Sequence, residues 1–173
     1  GDTVKIGGGD YGWVINKKGE AAQIVEDIKN GESVTREPKY EQRAFVEGAD
    51  DIGNTYIEID YTNQHLWYYK DGSLVVDSDI VSGNLNNGNG SPDGVFKVIS
   101  RQSPATLKGE DYESDVTYFM PFAYNVGLHD ASWRSSFGGS IYKNGGSHGC
   151  INLPYDAADT IYKNVELGTP VRS

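Results

Sequence analysis

The chain has 173 residues, which is enough for one well-cored domain and a smaller appendage. Its 25 acidic and 15 basic side chains give a formal net charge of -10, which would repel a phosphate backbone and argues against nucleic acid as a partner. The 22 glycines and 12 tyrosines favour turns and pleated surfaces, and make a helical bundle a poor expectation.

Residues 1–53 are predicted to form a small α+β fragment without a compact core of its own. A helix is expected from Asn16 to Gly31, because Asn16 suits the N-cap and Gly31 can end the helix in a left-handed conformation. Pro38 pushes the residue before it out of the helical region, so the chain after the helix is expected to be extended. Three apolar residues share one face of the helix: Ile24, Val25 and Ile28. We expect this fragment to lean on the domain that follows.

From residue 54 to residue 173 the pattern is that of a mainly β domain with some helix. Apolar and acidic residues alternate over Tyr56-Ile-Glu-Ile-Asp60, as in a half-buried strand. Asp71-Gly72 separates two further apolar runs, 65–70 and 74–76, and an Asp-Gly pair in this position is a strong hairpin signal. These runs predict a meander that opens the domain.

The middle of this domain alternates predicted strands with polar segments. Residues 95–99 and 118–129 are expected to be strands, each taken as one continuous element. Residues 84–94 and 106–114 are polar and contain glycine, so both are expected to be surface loops.

The C-terminal part is predicted to contain a helix and a short edge strand. Pro154 can occupy the first turn of this helix, and Gly168 is expected to stop it. Pro170 has no amide proton for a central ladder, so residues 169–171 are expected to return as an edge strand. The apolar face of the helix consists of Ala157, Ala158, Ile161, Tyr162 and Val165.

The only cysteine, Cys150, is the candidate nucleophile. A thiol attacks a carbonyl as thiolate, so it needs a base or a positive neighbour, and histidine is the usual one. His148 lies two positions away on the same side of an extended segment, whereas His129 ends a separate run and could be brought across by strand pairing. Gly149 permits close approach of the backbone, and amide protons there could hold an oxyanion. These residues alone leave both histidines open as the base.

The same residues stand in two motifs that resemble the L,D-transpeptidase catalytic domain, also called the YkuD domain. The motifs are Gly127-Leu-His-Asp130 and Gly146-Ser-His-Gly-Cys-Ile-Asn-Leu153. The resemblance covers roughly residues 55–173. Five shorter pieces precede the motifs in the order that such domains show: Tyr56-Ile-Glu-Ile-Asp60, Gln64-His-Leu-Trp-Tyr-Tyr69, Ile80-Val-Ser-Gly83, Pro92-Asp-Gly-Val-Phe96 and Met120-Pro-Phe122.

Residues 1–53 are similar to the end of the peptidoglycan-binding domain that precedes YkuD in low-GC Gram-positive bacteria. The similarity lies in Tyr11-Gly-Trp13, in the helix after it and in residues 31–38. The chain starts at Gly1, so we expect a processed or truncated piece whose targeting segment was removed. The resemblance implies an extracytoplasmic protein at the cell wall and allows a membrane anchor in the parent protein.

The resemblance implies a β-rich fold with a helix on its C-terminal side and an acyltransferase acting on peptidoglycan. Cys150 would attack the carbonyl before the terminal D-Ala of a stem tetrapeptide, release D-Ala, and pass the acyl group to an amine of a second stem in a 3,3 cross-link. Carbapenems would acylate the same cysteine, and no metal or organic cofactor is implied. His129 is implied as base, oriented through nearby backbone, and His148 lies beside the substrate and oxyanion. Substrate contacts are expected from Ser147, Asn152, Tyr118 and Met120.

Three alternatives stay open. Cys150, His148 and His129 are competent zinc ligands, although no fourth ligand is evident. The chain could also be a non-catalytic wall-binding module, or water could replace the amine and give an L,D-carboxypeptidase.

The segment around residues 106–114 is further expected to overhang the cleft and attract an amine acceptor through four acids: Glu110, Asp111, Glu113 and Asp115.

Overall fold

The computed structural model describes residues 7–31, 33–48 and 50–173, so residues 1–6, 32 and 49 of the predicted N-terminal fragment lie outside the described residues. Its strands are β1 Val14–Ile15, β2 Tyr40–Gln42, β3 Tyr56–Asp60, β4 His65–Lys70, β5 Ser73–Asp79, β6 Val95–Lys97, β7 Ala105–Lys108, β8 Glu113–Val116, β9 Phe119–Ala123, β10 Val126–Asp130, β11 Ile151–Leu153 and β12 Pro170–Arg172. Its helices are α1 Lys17–Asn30, α2 Ile141–Gly145 and α3 Tyr155–Asn164. The predicted mainly β class is confirmed.

A five-stranded sheet forms one layer of the main domain, in the order β5-β4-β3-β12-β6. Strands β3, β4 and β5 form the predicted antiparallel meander. Asp71 and Gly72 both have positive φ, 51° and 78°, which is the backbone that a two-residue type I′ turn requires. Side chains alternate across the sheet, so Ile57, Leu66 and Tyr68 are fully buried while their strand neighbours are partly exposed.

A smaller three-stranded sheet, in the order β11-β10-β9, faces the same core. Rings from the two sheets meet where Phe96 and Phe122 lie 5.9 Å apart between centroids. Helix α3 packs against β5 and β10 and buries Ala158 and Ile161, and Val165 follows it into the core. Burial of these apolar side chains is the main stabilising contribution to this domain, at about 25 cal/mol per Å² of apolar surface.

The polar segment predicted as a loop over residues 106–114 is instead a hairpin of β7 and β8, so that prediction was wrong. Its residues alternate strictly: Leu107, Ser114 and Val116 turn inward, whereas Glu113 and Asp115 are exposed. Only one of its two faces contacts the protein, and that face is short. The apolar period was therefore too brief to be recognised in the sequence.

Three other elements differ from the sequence prediction. Residues 118–129 form two antiparallel strands, β9 and β10, because the chain reverses at Tyr124, which has a φ of 52°. The predicted edge strand β12 lies inside the sheet, between β3 and β6. Pro170 is tolerated there because it is the first residue of the strand, and pairing with β3 starts at Val171. Helix α3 ends at Asn164, well before Gly168.

The N-terminal residues pack on the main domain, as expected. The amides of Asp10 and Tyr11 both donate to the carbonyl of Val95, each at 3.0 Å, and Lys97 Nζ donates to Gln42 Oε1 at 2.7 Å. Helix α1 begins after the predicted cap, whose side chain accepts from Gly19 N at 2.8 Å. The helix buries none of its residues. Among the described residues, no helix combines the length and apolarity needed to cross a bilayer.

His65 is clamped between two aspartates on the exposed side of the meander. Its Nδ1 lies 2.8 Å from Asp79 Oδ1, its Nε2 contacts Asp77 Oδ1, and the Trp67 ring lies 4.6 Å away. Partial burial lowers the pKa of His65, but the hydrogen bonds and charges of the two aspartates outweigh it and raise the pKa above 6.5. A group with a raised folded-state pKa stabilises the fold below its unfolded-state pKa, and this contribution is lost as pH rises through the folded-state pKa.

We therefore predict that His65→Gln destabilises the protein more at pH 5.5 than at pH 9. Urea unfolding of the parent and the variant at both values measures the difference in free energy of unfolding. The matched control replaces both Asp77 and Asp79 with Asn. In that background, the change in free energy of unfolding caused by His65→Gln should no longer depend on pH. If the free energy of unfolding differs between parent and variant by the same amount at both pH values, the proposed stabilisation of charged His65 by the two aspartates is contradicted.

Candidate active site

Parallel pairing of β10 with β11 assembles the candidate site. The register places His129 opposite Asn152, and Cys150 immediately precedes β11. A concave surface opens between these strands, the segment before β11 and the β7-β8 hairpin; we call it the first cleft. Eleven residues line it: Leu107, Tyr112, Ser114, His129, Trp133, Arg134, Gly146, Ser147, His148, Cys150 and Asn152. The structure thus brings Cys150 and both candidate histidines to one cleft.

The thiol of Cys150 contacts the backbone of the turn between β9 and β10. Its Sγ donates to Asn125 O at 3.7 Å, and the Gly127 amide also faces it. Burial raises the pKa of the Cys150 thiol above its ordinary value, although the hydrogen bond from Gly127 opposes this shift. The thiol is therefore protonated at neutral pH and needs a base to become a nucleophile.

His129 is held as a neutral base. Its ring is only 3% exposed, and Nδ1 lies 2.8 Å from the carbonyl oxygen of Asp130, which can only accept. Nδ1 therefore carries the proton, and Nε2 is unprotonated and can only accept. Burial lowers the pKa of His129, against the opposing effects of the Asp130 carbonyl and charge, so the ring is neutral at pH 7.

The Asp130 carboxylate has another role. It is buried and accepts from the amides of Thr117 at 3.2 Å and Tyr118 at 2.7 Å. Only its backbone carbonyl orients His129, as expected for neighbours on a strand, whose side chains point to opposite faces.

A second hydrogen bond fixes the His129 ring from its other side. Asn152 Nδ2 lies 3.0 Å from His129 Nε2, and Arg134 Nε donates to Asn152 Oδ1 at 2.6 Å. A guanidinium can only donate, so the amide oxygen must face Arg134 and the amide nitrogen must face His129. Asn152 was expected to contact substrate, but its side chain is 1% exposed and both of its ends are engaged by protein. It orients the base instead.

The segment from Ser147 to Cys150 forms a tight turn around Gly149. The Gly149 backbone has a φ of 131°, which side-chain-bearing residues rarely adopt. Its amide donates to Ser147 Oγ at 3.0 Å, and Ser147 Oγ donates to the carbonyl of Cys150. The amide of Gly149 is thus engaged within the turn. This corrects the expectation that it donates to an oxyanion.

His148 lies on the exposed side of the cleft and stacks on Tyr112 of the hairpin, with ring centroids 4.2 Å apart and planes 15° apart. Leu107 and Ser114 from the same hairpin also line the cleft. The acids expected to overhang it do not line it. Glu113 instead pairs with Lys108 at 3.1 Å, and Asp115 accepts from Thr106 at 2.8 Å.

A second cleft reaches the thiol from the other side of the hairpin. It shares Leu107, Tyr112 and Cys150 with the first cleft. Its remaining lining residues are Gln102, Thr106, Lys108, Phe119, Pro121, Tyr124 and Asn125. The Cys150 sulfur can therefore be approached along two surfaces.

Two residues expected at the substrate are placed elsewhere. Met120 is fully buried in the core, and the Tyr118 hydroxyl donates to Asp159 on α3 at 2.6 Å. Neither lines either cleft. Alternation along β9 directs Met120 inward.

Sequence reasoning missed Arg134, Trp133 and Tyr112 as cleft residues. The Trp133 ring lies 5.8 Å from that of His129, and Arg134 follows it directly. For Trp133 and Arg134, the signal in the sequence was an aromatic and cationic pair that closely follows the motif containing His129. Within the described residues, no group of three or more His, Cys, Asp or Glu side chains is placed to hold a metal ion.

Residues 54–172 match the L,D-transpeptidase catalytic domain, YkuD. The chain belongs to this family. The crystal structure of an Enterococcus faecium L,D-transpeptidase with cysteine changed to serine is 40% identical, with a TM-score of 0.84 over 98% of this chain and 68% of that one. The Ldtfm-avibactam carbamoyl enzyme is 41% identical, with a TM-score of 0.83 over 98% and 67%.

The catalytic domain of the E. faecium enzyme acylated by ertapenem, solved by NMR, is 47% identical over 69% of this chain and 95% of that one, with a TM-score of 0.62. No curated protein sequence gave a significant match. This chain therefore spans about two thirds of the two longer L,D-transpeptidase structures that it resembles.

Gly127 gives a direct test of the backbone that surrounds the thiol. A Cβ at this position would lie 2.5 Å from Phe119 Cε2, 2.7 Å from Met120 O and 2.8 Å from Pro121 Cα, so β9 and β10 must shift to accept it. We predict that Gly127→Ala costs about 1–3 kcal/mol in urea unfolding. We also predict slower alkylation of Cys150 by iodoacetamide at neutral pH, because the amide that lowers the thiol pKa is displaced.

The matched control is Gly145→Ala, whose Cβ would meet Ile141 at an ordinary 3.7 Å at the end of α2. It should leave both measurements nearly unchanged. If Gly127→Ala behaves like this control, the close approach at Gly127 does not matter to the site.

Proposed function

We propose that this protein is a peptidoglycan L,D-transpeptidase that forms 3,3 cross-links through an acyl-enzyme at Cys150. The observation that carries the proposal is a lone thiol in a cleft whose buried histidine is neutral and has one unprotonated ring nitrogen, which can accept a proton once Asn152 releases it. The related enzyme acylated by ertapenem and the avibactam carbamoyl enzyme support a domain that forms covalent adducts.

The donor half-reaction takes the acyl group from a stem tetrapeptide. Asn152 Nδ2 releases its hydrogen bond to His129 Nε2, and the thiol proton passes to this nitrogen as the Cys150 sulfur bonds to the carbonyl carbon that precedes the terminal D-Ala. The tetrahedral intermediate collapses when the carbon–nitrogen bond breaks, and the proton on His129 passes to the leaving amine of D-Ala. A thioester of the shortened stem remains on Cys150.

The Asp130 carbonyl and Trp133 assist His129 in this step. The hydrogen bond from Nδ1 to Asp130 O keeps Nε2 as the acceptor and stabilises the imidazolium that forms transiently. The ring of Trp133 partly covers that of His129. His148 lines the same cleft, and the resemblance to the family assigns it beside the developing oxyanion.

The acceptor half-reaction restores the enzyme. The side-chain amine of a second stem attacks the thioester carbon, His129 takes the amine proton, and the carbon–sulfur bond breaks as the thiol is reprotonated. The two clefts that meet at Cys150 favour transfer over simple hydrolysis, since the donor can occupy one cleft while the acceptor amine reaches the thioester carbon from the other. No step requires a metal or an organic cofactor.

The substrate determines where the protein works. Stem peptides are cell-wall components, so we place the enzyme on the extracytoplasmic face, with peptidoglycan as donor and acceptor and carbapenems as covalent inhibitors. We also propose that residues 1–53 derive from a peptidoglycan-binding domain, which fits the exposed apolar residues of α1: Ile24, Val25 and Ile28.

We predict that Cys150→Ala folds like the parent but neither releases D-Ala from a tetrapeptide nor gains the mass of a carbapenem. Mass spectrometry of protein and products, with a stem tetrapeptide and an amine acceptor, measures both. The isosteric Cys150→Ser is the matched control for folding. A carbapenem adduct on Cys150→Ala would refute the nucleophile, and a shortened stem without cross-linked product in the parent would show a carboxypeptidase.

A further inference from the structure

The first cleft differs in charge from the rest of the molecule. The chain carries a net charge of -10, yet no Asp or Glu is among the cleft-lining residues described in the structure. Arg134 is the one lining residue with a permanent charge. A lone cation in a cleft of an acidic protein favours an anionic group in the ligand.

Arg134 is held rigidly but lacks a counter-charge. Its Nε donates to Asn152 Oδ1 and its Nη1 donates to Gly145 O at 2.8 Å. Within the part of the chain that the structure describes, Nη2 has no protein acceptor, and no carboxylate lies within ion-pairing distance of the guanidinium. Burial lowers the pKa of Arg134, but a guanidinium stays charged at neutral pH. A guanidinium that lines a cleft without a carboxylate partner has donors available for an anionic group of a ligand.

The donor substrate offers one anion close to the reacting carbon. The carboxylate of its terminal D-Ala is three covalent bonds from the carbonyl carbon that Cys150 attacks, which places the two carbons at most about 4 Å apart. A group that binds this carboxylate must therefore line the same cleft as the thiol. Arg134 meets this requirement, and a guanidinium suits a carboxylate because it presents paired donors in one plane.

We propose that Arg134 binds the C-terminal carboxylate of the donor stem and so selects peptides in which a single D-amino acid follows the scissile bond. This inference rests on the proposed function and specifies its donor. A stem with one more residue would place its carboxylate too far along the chain. The same side chain orients Asn152 and thereby His129, so recognition of the donor end and positioning of the base share one residue.

The test compares two donors, the tetrapeptide with a free carboxylate and the same peptide as its C-terminal amide. We expect kcat/KM of the parent for D-Ala release to exceed that for alaninamide release by about ten-fold or more, the size expected for a charged hydrogen bond. Alaninamide is the better leaving group, so leaving ability does not explain this preference. In Arg134→Gln the acid-to-amide ratio should fall to about one, whereas loss of a purely structural role would lower both rates equally.

Arg101→Gln is the matched control, because Arg101 lies outside both clefts and donates to Tyr162 O; its acid-to-amide ratio should equal that of the parent. If Arg134→Gln does not fold, Arg134→Lys keeps the charge but loses the planar fork, and its ratio should lie between one and that of the parent. Equal rates of the parent on both donors, or an unchanged ratio in the Arg134 variants, would overturn the carboxylate assignment. A parent that processes neither donor would refute the proposed function itself.

Discussion

Parallel pairing of β10 with β11 is the constraint on which the site depends. It joins two segments about twenty residues apart in sequence, and its register sets His129 beside Asn152 and places Cys150 at the mouth of the same cleft. A slip of one residue would turn these side chains to the opposite face. The register is secured by core burial, since Leu128 and Ile151 are fully buried partners in the same ladder.

The electrostatics of the site follow from this burial. Desolvation raises the pKa of the Cys150 thiol and lowers that of His129, so both are neutral at rest. The site thus holds a neutral acid and a neutral base, and in the proposed mechanism charge separates only when a substrate carbonyl is present to receive the sulfur. A hydrogen-bonded series from Arg134 through Asn152 to His129 keeps the base in one tautomer. The orientation of the base is therefore set before a substrate binds.

Local patterns were sufficient for the elements that they encode. Alternation in β3, the Asp71-Gly72 turn and the caps of α1 could all be read from neighbouring residues, and the two motifs around His129 and Cys150 indicated the family. The elements whose prediction was wrong depend on tertiary context. Hairpin β7-β8 has one short inward face, and the position of β12 is set by the strands on either side of it.

The nucleophile and the base could be predicted from the sequence, but the hydrogen bonds around them could not. Sequence placed Cys150 and His129 together through their motifs, yet it could not show that the amide of Gly149 would be engaged by Ser147. Nor could it show that Arg134 would reach across to the base through Asn152, because that contact needs a pairing of strands. Side-chain hydrogen bonds between distant segments have no periodic signature.

The state of His129 tests the account most directly. Nitrogen-15 NMR of histidine-labelled protein reports which ring nitrogen carries the proton, and a His129→Gln variant assigns the signals. At pH 7 the account predicts a neutral ring with the proton on Nδ1 and an unprotonated Nε2 in the free enzyme, because Asp130 O accepts from Nδ1 and burial lowers the pKa. A proton on Nε2, or a doubly protonated ring at that pH, would contradict the proposed base.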